Sequence, residues 1–386
     1  MPDSTPAPAT PNARCFGPVV ATLLLNAAFV VGYVAIYSGD ISSLVCADRE
    51  KLGRFPFEHV TLGFPSKGFD GQYYYLIARD PFAKHGEDLE LPAYRHGRIV
   101  YPFVAWLLTG GDAKLLLWVM PILNILALGG IAWAGAAMAR HFGRSTWWGM
   151  LLPLVINASP AVLRDLTDPF ATLTACAVVA AWVLRWPAWS FLLVSVLAVL
   201  SREQNLVIVG IVGLESLIKR RFAISACATA ILPIWGAWAM LMHSVYGEWP
   251  FVAANTEEPL AGIRHRLQNM NGPLSSYGSR VHMLAMATLL AQMFCTLRMY
   301  VGRPGRVPLL ISLAGFALAI KAGTAIYGNL ESYTRVFWWM PFGVWLWAVQ
   351  SNRNWPGWLA IFGLLWPAYA VAQAAYKIYT GAVTAL

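Results

Sequence analysis

Long apolar segments recur along the chain from position 17 to the end, and short polar stretches separate them. A helix needs roughly 20 apolar residues to cross the ~30 Å hydrocarbon core of a bilayer. Segments near that length predict an all-α, polytopic transmembrane bundle of about eleven spans. The predicted spans are 17–37, 113–139, 146–162, 169–186, 188–201, 204–218, 222–246, 280–298, 307–326, 336–350 and 356–380.

The start of the first apolar run divides the chain into a short tail and a membrane domain. Residues 1–14 are rich in Pro, Ala and Thr, which predicts a disordered cytoplasmic tail. The first apolar run, about 22 residues long, exceeds the core of a signal peptide and is expected to stay as an anchor. Residues 15–386 then form a single transmembrane domain.

Composition strengthens this prediction and excludes other classes of protein. Charged residues make up 12% of the chain, about half of the usual share in a soluble domain, and hydrophobic residues make up 58%. The net charge of +9 arises from short Lys and Arg clusters between apolar segments, as topology signals do, so nucleic acid is not an expected partner. The five cysteines are scattered without a CxxC spacing, so they predict no redox or zinc site.

The basic clusters also predict an orientation. With the N-terminus in the cytoplasm, alternating spans place every short basic cluster on the cytoplasmic side. The opposite face receives a first outer loop at about 38–112, a second at about 247–279, and nearly all acidic residues. The apolar stretch 98–108 is too short to cross and is predicted to be an interfacial, juxtamembrane helix. Because topology needs no acids outside, chemistry is expected on the extracytoplasmic face of the membrane.

The first outer loop contains the clearest candidate for chemistry. Asp70 lies between Gly68 and Gly71 in the run GFDGQYYY. This sequence predicts a tight turn from which the carboxylate projects as a general base. A second interpretation is that Asp70 caps the helix that follows it.

The runs FDGQYYYLIARDPF (69–82), YRHGRIVYPFVAWLL (94–108), DLTDPF (165–170) and SREQNL (201–206) resemble bacterial membrane proteins related to the C-type glycosyltransferases. The resemblance implies transfer of a sugar from a polyprenyl-phosphate donor to a glycan, lipid or protein acceptor of the cell envelope. It also implies a catalytic acid in the first outer loop, and Asp70 matches that position. Several members of the family have two adjacent acids there, whereas Gly71 follows Asp70. A divalent cation, Mg or Mn, is therefore only a possible cofactor.

Other polar residues of the predicted outer face are candidate substrate-binding groups. A guanidinium offers phosphate oxygens a planar fork, so arginines suit the donor phosphate. Internal salt bridges are the alternative for Arg202 with Glu203 or Asp165, and for Arg335 with Glu331. Helix capping is the alternative for Asp168, and Asp80 or Asp168 could supply a second acid. The candidates are Gln72, Tyr74, Asp80, Arg95, Arg98, Arg164, Asp165, Asp168, Arg202, Glu203 and Arg335.

Two competing functions remain open at this stage. A transporter or flippase of lipid-linked saccharides would place ionisable residues near the middle of several spans, and Lys321 is the only strong candidate of that kind. A non-catalytic partner in surface-polysaccharide assembly would tolerate the loss of Asp70.

Overall fold

The computed structural model describes residues 15–64, 68–85, 88–251, 256–269, 277–302, 304–328 and 335–379. The described chain is mostly α-helical. Its two short strands, β1 (Ala47–Asp48) and β2 (Gly63–Phe64), pair in parallel. The prediction of an all-helical protein is therefore confirmed, while the predicted tail 1–14 lies outside the described residues.

The N-terminal part consists of one long helix followed by a folded loop. Helix α1 spans Phe16–Ile36, and β1 and β2 follow it. Three short helices complete this part: α2 (Gly71–Arg79), α3 (Pro92–His96) and α4 (Val100–Thr109). The 10 residues of α4 are about 15 Å long at 1.5 Å per residue, which is too short to cross a bilayer, as predicted for this stretch.

The remaining helices follow closely on one another. The central helices are α5 (Ala113–His141), α6 (Trp148–Val155), α7 (Asp168–Val183), α8 (Ala188–Ser201), α9 (Leu206–Ile218) and α10 (Phe222–Tyr246). The C-terminal helices are α11 (Ala261–Gln268), α12 (Tyr277–Val301), α13 (Arg306–Lys321), α14 (Thr324–Gly328), α15 (Trp339–Gln350) and α16 (Ala360–Tyr379). Short 3₁₀ turns at Ser159–Arg164 and Glu203–Asn205 interrupt the chain between α6 and α7 and between α8 and α9.

Five helical segments of the described chain are long and apolar enough to cross a membrane: Phe16–Ile36, Ala113–His141, Phe222–Tyr246, His282–Val301 and Trp355–Tyr376. The other six predicted spans coincide with shorter helices, so the predicted count of about eleven is not confirmed. The α8 and α9 helices, with 14 and 13 residues, are about 20 Å long. A polar turn that contains Arg202 and Glu203 joins them.

Helix α5 lies at the centre of the bundle, where it packs against α1, α6 and α7. In the most apolar part of α5, 61% of the residues are buried. In the corresponding parts of α1 and α10 only 22% are buried, so these two helices present apolar side chains outward. Helix α6 can approach α5 closely because Gly149 has no Cβ. A Cβ at this position would stand only 2.3 Å from the Ala132 carbonyl oxygen. Small residues permit this kind of close contact between membrane helices.

Candidate active site

Asp70 is the N-cap residue of α2, and its position depends on two glycines. Gly68 has φ +69°, and a Cβ there would stand 2.6 Å from the Cys46 carbonyl oxygen. A Cβ on Gly71 would stand 2.2 Å from the carbonyl oxygen of Arg164. The Gly-x-Asp-Gly sequence therefore lets the start of α2 lie directly against the loop after α1 and the 3₁₀ turn before α7.

The Asp70 carboxylate binds arginines and does not cap its helix. It makes no side-chain capping bond to α2, so the capping interpretation is wrong. Its Oδ2 lies 2.7 Å from Nη1 of Arg95 and 3.8 Å from Nη2 of Arg335. Its side chain is 27% exposed, so it is both ion-paired and accessible.

Two aromatic rings hold Arg95 in place. The guanidinium lies 4.9 Å from the ring centroid of Tyr73 and 5.7 Å from that of Tyr94. Such cation–π contacts orient a guanidinium and also shield it from water. Burial lowers the pKa of Arg95 and Asp70 raises it, with a net shift above the ordinary value. Arg95 therefore stays charged beside Asp70.

Asp168, the first residue of α7, is the second acid of the site. Its Oδ1 accepts a hydrogen bond from Nη1 of Arg202, and its Oδ2 accepts one from Nη1 of Arg335. Asp168 thus joins the break between α8 and α9 to the segment before α15. Pro169 occupies the first turn of α7, as predicted, but Asp168 follows the N-cap residue Thr167 and its carboxylate is used for ion pairs.

Arg98 and Glu203 form the third part of the site. Nε and Nη2 of Arg98 lie 3.2 and 3.0 Å from the two carboxylate oxygens of Glu203, a bidentate pair. Nη2 also donates to the hydroxyl of Tyr94, whose ring centroid is 4.0 Å from the guanidinium. Burial raises the pKa of Glu203 and Arg98 lowers it, leaving it below the ordinary value.

These contacts define the arginine–carboxylate network: Asp70, Arg95, Arg98, Asp168, Arg202, Glu203 and Arg335. The side chains of its arginines are only 5–10% exposed. The network holds four guanidinium groups and three carboxylates, so it carries one positive charge in excess. A largely buried site with surplus positive charge favours an anionic ligand.

A narrow cleft lies next to the network, between the Ser159–Arg164 turn and α16. Arg164 and Arg335 line it together with apolar side chains that include Leu163, Trp366 and Ala370. Arg335 therefore contacts both Asp70 and the cleft. The cleft combines cationic groups with an apolar wall, which suits a lipid that carries an anionic head.

Three predicted substrate-binding residues lie outside this network. The Gln72 side chain is fully buried, and its Oε1 accepts a bond from the backbone N–H of Asp48 at 3.1 Å, which fixes the loop. Tyr74 is buried. Asp80 accepts a bond from the N–H of Phe82 at 3.2 Å. The Gln72 bond supports the fold around Asp70.

Arg164 and Asp165 also differ from the network residues. Nη1 of Arg164 donates to the hydroxyl of Tyr33 and lies 3.4 Å from the Cys46 sulfur. Asp165 is fully buried and contacts Tyr101, so the predicted pair with Arg202 does not form. Arg202 and Arg335 do form internal salt bridges, as the alternative interpretation held, but with Asp168, whereas Glu331 lies outside the described residues.

Sequence reasoning missed the aromatic partners of the arginines. Tyr94 precedes Arg98 by four residues, a spacing that places two side chains on one face of a helical segment. That spacing was the available signal. Tyr101 and Asn124, which meet at a hydroxyl-to-amide distance of 2.9 Å, come from different helices and gave no signal.

The residues of the network do not fit the possible divalent cation. Each of the three carboxylates faces a guanidinium, and no three His, Cys, Asp or Glu side chains come together in the part of the chain that the structure describes. Mg²⁺ prefers carboxylate oxygens that are free to coordinate it.

No protein-family model, no curated protein and no solved structure matches this chain. The relation to C-type glycosyltransferases therefore stays a prediction that depends on the sequence runs and on the geometry of the site.

Proposed function

We propose that this chain is a membrane glycosyltransferase that moves a sugar from a polyprenyl-phosphate donor to a cell-envelope glycan, lipid or protein. In this proposal about eleven helices, the shorter ones included, form the membrane domain of a bacterial inner-membrane protein. The arginine–carboxylate network faces the extracytoplasmic side. One observation carries the proposal: the accessible carboxylate of Asp70 is held by Arg95 and Arg335, and Arg335 also lines an apolar cleft.

Asp70 would act as the general base of an inverting transfer. Its carboxylate accepts the proton of the acceptor hydroxyl while that oxygen forms a bond to the anomeric carbon of the sugar. The bond between the anomeric carbon and the phosphate oxygen breaks at the same time. The ion pair with Arg95, at 2.7 Å, orients the carboxylate. Among the three network acids Asp70 is the most exposed, at 27% against 11% and 19% for Asp168 and Glu203.

The arginines would bind the donor phosphate and stabilise its departure. The phosphate carries more negative charge once the sugar has left, so cations that touch it favour the transition state over the ground state. Arg335 and Arg164 line the cleft whose apolar wall would receive the first isoprene units. Asp168 holds Arg335 and Arg202 at this position through its two carboxylate oxygens.

The position of Lys321 does not support the transporter alternative. Lys321 is the last residue of α13, where it is exposed, and so does not lie in the interior of the bundle. Its carbonyl oxygen accepts a bond from the N–H of Glu257 at 3.0 Å. A transfer assay distinguishes an enzyme from a non-catalytic assembly partner.

The test supplies labelled polyprenyl-phosphate sugars and total envelope acceptors to membranes that contain wild-type protein, Asp70→Asn or Asp112→Asn at matched expression. Asp112 caps α5 through bonds to the N–H groups of Lys114 and Leu115, and Asn caps equally well. We expect transfer by the wild type and Asp112→Asn and a loss of about 10²-fold or more in Asp70→Asn. Equal transfer by all three proteins removes Asp70 from the mechanism. Absence of transfer by all three favours a transporter or an assembly partner.

A further inference from the structure

Asp165 is a buried acid that the proposed mechanism does not use. It lies in the turn between the Ser159–Arg164 segment and α7, with φ +46°, and none of its surface is exposed. Its Oδ1 is 3.5 Å from the hydroxyl of Tyr101, a long hydrogen bond. Its Oδ2 has no partner among the described residues, and no described arginine or lysine pairs with it.

A carboxylate in this position is costly in the ionised form. Removing it from water without a counter-charge is strongly unfavourable, and burial accordingly raises the pKa of Asp165 well above its usual value. The same carboxyl gains little from Tyr101, because that hydroxyl also lies 3.0 Å from the carbonyl oxygen of Met120. The site therefore requires a proton or a cation.

A second buried side chain contributes to the same pocket of polar atoms. Asn124 of α5 is fully buried, and its Nδ2 donates to the Tyr101 hydroxyl at 2.9 Å and to the Leu166 carbonyl oxygen at 3.1 Å. The Tyr101 hydroxyl thus joins the Asn124 amide to the Asp165 carboxylate. The amide oxygen Oδ1 of Asn124 has no partner among the described residues, and neither does Oγ1 of the buried Thr167 on the Asp165 turn.

The number of oxygen acceptors without a partner favours a cation over a proton at this site. One proton on Asp165 satisfies one further acceptor, whereas a cation contacts several oxygens at once. The single negative charge of Asp165 is balanced by one positive charge, so a monovalent ion leaves the buried site neutral.

We propose that the carboxylate of Asp165 and the amide oxygen of Asn124 bind a monovalent cation of the Na⁺ class. The ion would fix the turn that contains Asp165 and leads from Arg164 to Asp168. This inference is independent of glycosyl transfer, because it concerns a site that the transferred sugar does not touch.

The test measures the melting temperature of the full chain in detergent, in about 150 mM NaCl and in choline chloride of equal ionic strength. Ligand that binds only the folded state stabilises it by mass action. We expect Na⁺ to raise the Tm of the wild type by about 3 °C or more, with saturation as the Na⁺ concentration rises. Asp165→Asn should abolish the rise, and Asp48→Asn, in a partly exposed 3₁₀ cap, should retain it.

Direct binding keeps the proposal testable if Asp165→Asn does not fold. Equilibrium binding of ²²Na⁺ to the wild type should saturate near one ion per chain, and Asn124→Ala should weaken it at least tenfold. A wild-type Tm that is equal in both salts, together with no saturable ²²Na⁺ binding, would overturn the proposal and leave Asp165 as a carboxyl that holds a proton only.

Discussion

Two clusters of ion pairs in this molecule differ in how far their cationic side chains are exposed to solvent. In the arginine–carboxylate network, the arginine side chains are 5–10% exposed. In the other cluster, Glu215 of α9 lies 3.2 Å from Lys219 and 3.8 Å from Arg306, but those two cationic side chains are 52% and 63% exposed. The first cluster has removed its cations from water, and the second has not.

The difference indicates which cluster has a function. Exposed pairs are screened by water and contribute ~1 kcal/mol or less, so Lys219 and Arg306 need no explanation beyond topology. Burying four arginines costs more than their pairing returns unless the geometry is good, and stability alone is a weak reason to keep them. A network of this kind beside an accessible carboxylate is therefore the better candidate for chemistry.

Asp168→Asn should produce the largest loss of stability. It removes the charge that Arg202 and Arg335 share, so Arg202 loses its carboxylate partner, whereas Arg335 keeps the longer contact with Asp70 at 3.8 Å. We expect a loss of about 3–5 kcal/mol in the free energy of unfolding, seen as a fall in Tm or in yield from detergent. Arg306→Gln is the control in the second cluster, where the Arg306 side chain is 63% exposed, and it should cost ~1 kcal/mol or less. Equal losses in the two variants would break the comparison.

Gly71→Ala tests whether the close approach of α2 is needed to place Asp70. The added Cβ would stand 2.2 Å from the Arg164 carbonyl oxygen, which is backbone and cannot rotate away. We expect about 1–3 kcal/mol of lost stability and at least a tenfold loss of transfer, because Asp70 must shift. Gly32→Ala in α1, with nothing within 4 Å of the new Cβ, should retain both properties. Full transfer by Gly71→Ala would show that the contact does not position Asp70.

Arg98→Lys tests the bidentate geometry without changing the charge. An ammonium cannot keep both bonds to Glu203 or the contact with the Tyr94 ring at 4.0 Å. We expect a loss of about 2 kcal/mol by chemical or thermal unfolding. Arg306→Lys, whose side chain is 63% exposed, should be indistinguishable from the wild type. A neutral Arg98→Lys would mean that charge alone holds Glu203.

His96, which follows Arg95 on α3, should make the stability of the protein depend on pH. Its Nδ1 lies 2.6 Å from the Tyr246 hydroxyl and its Nε2 lies 2.9 Å from the Pro81 carbonyl oxygen, a neutral ring with one acceptor and one donor. Burial lowers the pKa of His96 to about 4.

The sign of this effect follows from proton linkage. Between pH 6.5 and 4 the unfolded chain binds more protons at His96 than the folded chain does, so stability falls as the pH falls. We expect His96 to account for a loss of about 2 kcal/mol between pH 7 and 5, measured as Tm against pH. His96→Gln should flatten that part of the profile, and an unchanged slope would contradict the assignment.

The sequence predicted the helical fold and the neighbourhood of Asp70 because both depend on local signals. Apolar runs located the helices, and two flanking glycines marked the turn at Asp70. The number of crossing helices was less predictable, since apolar composition does not say whether a 13-residue helix such as α9 is long enough to cross. That question depends on how neighbouring helices cover its polar ends.

The pairing of charges could not be read from the chain. Sequence neighbours suggested Arg202 with Glu203, but Glu203 receives Arg98 from 105 residues away and Arg202 receives Asp168. Gln72 was expected at the substrate, yet it is buried and fixes the loop through the N–H of Asp48. Each case depends on long-range packing, which no local pattern encodes.

The most direct test of the central claim is single-turnover transfer from donor already bound to the protein. Wild type and Asp70→Asn are loaded with the labelled polyprenyl-phosphate sugar that the membrane assay identifies, brought to equal occupancy in lipid nanodiscs, and mixed with acceptor. At that equal occupancy the account predicts a transfer rate lower by ~10²–10⁴-fold in Asp70→Asn, because the amide cannot accept the proton of the acceptor hydroxyl. Equal rates at equal occupancy would contradict the role of Asp70 as the base.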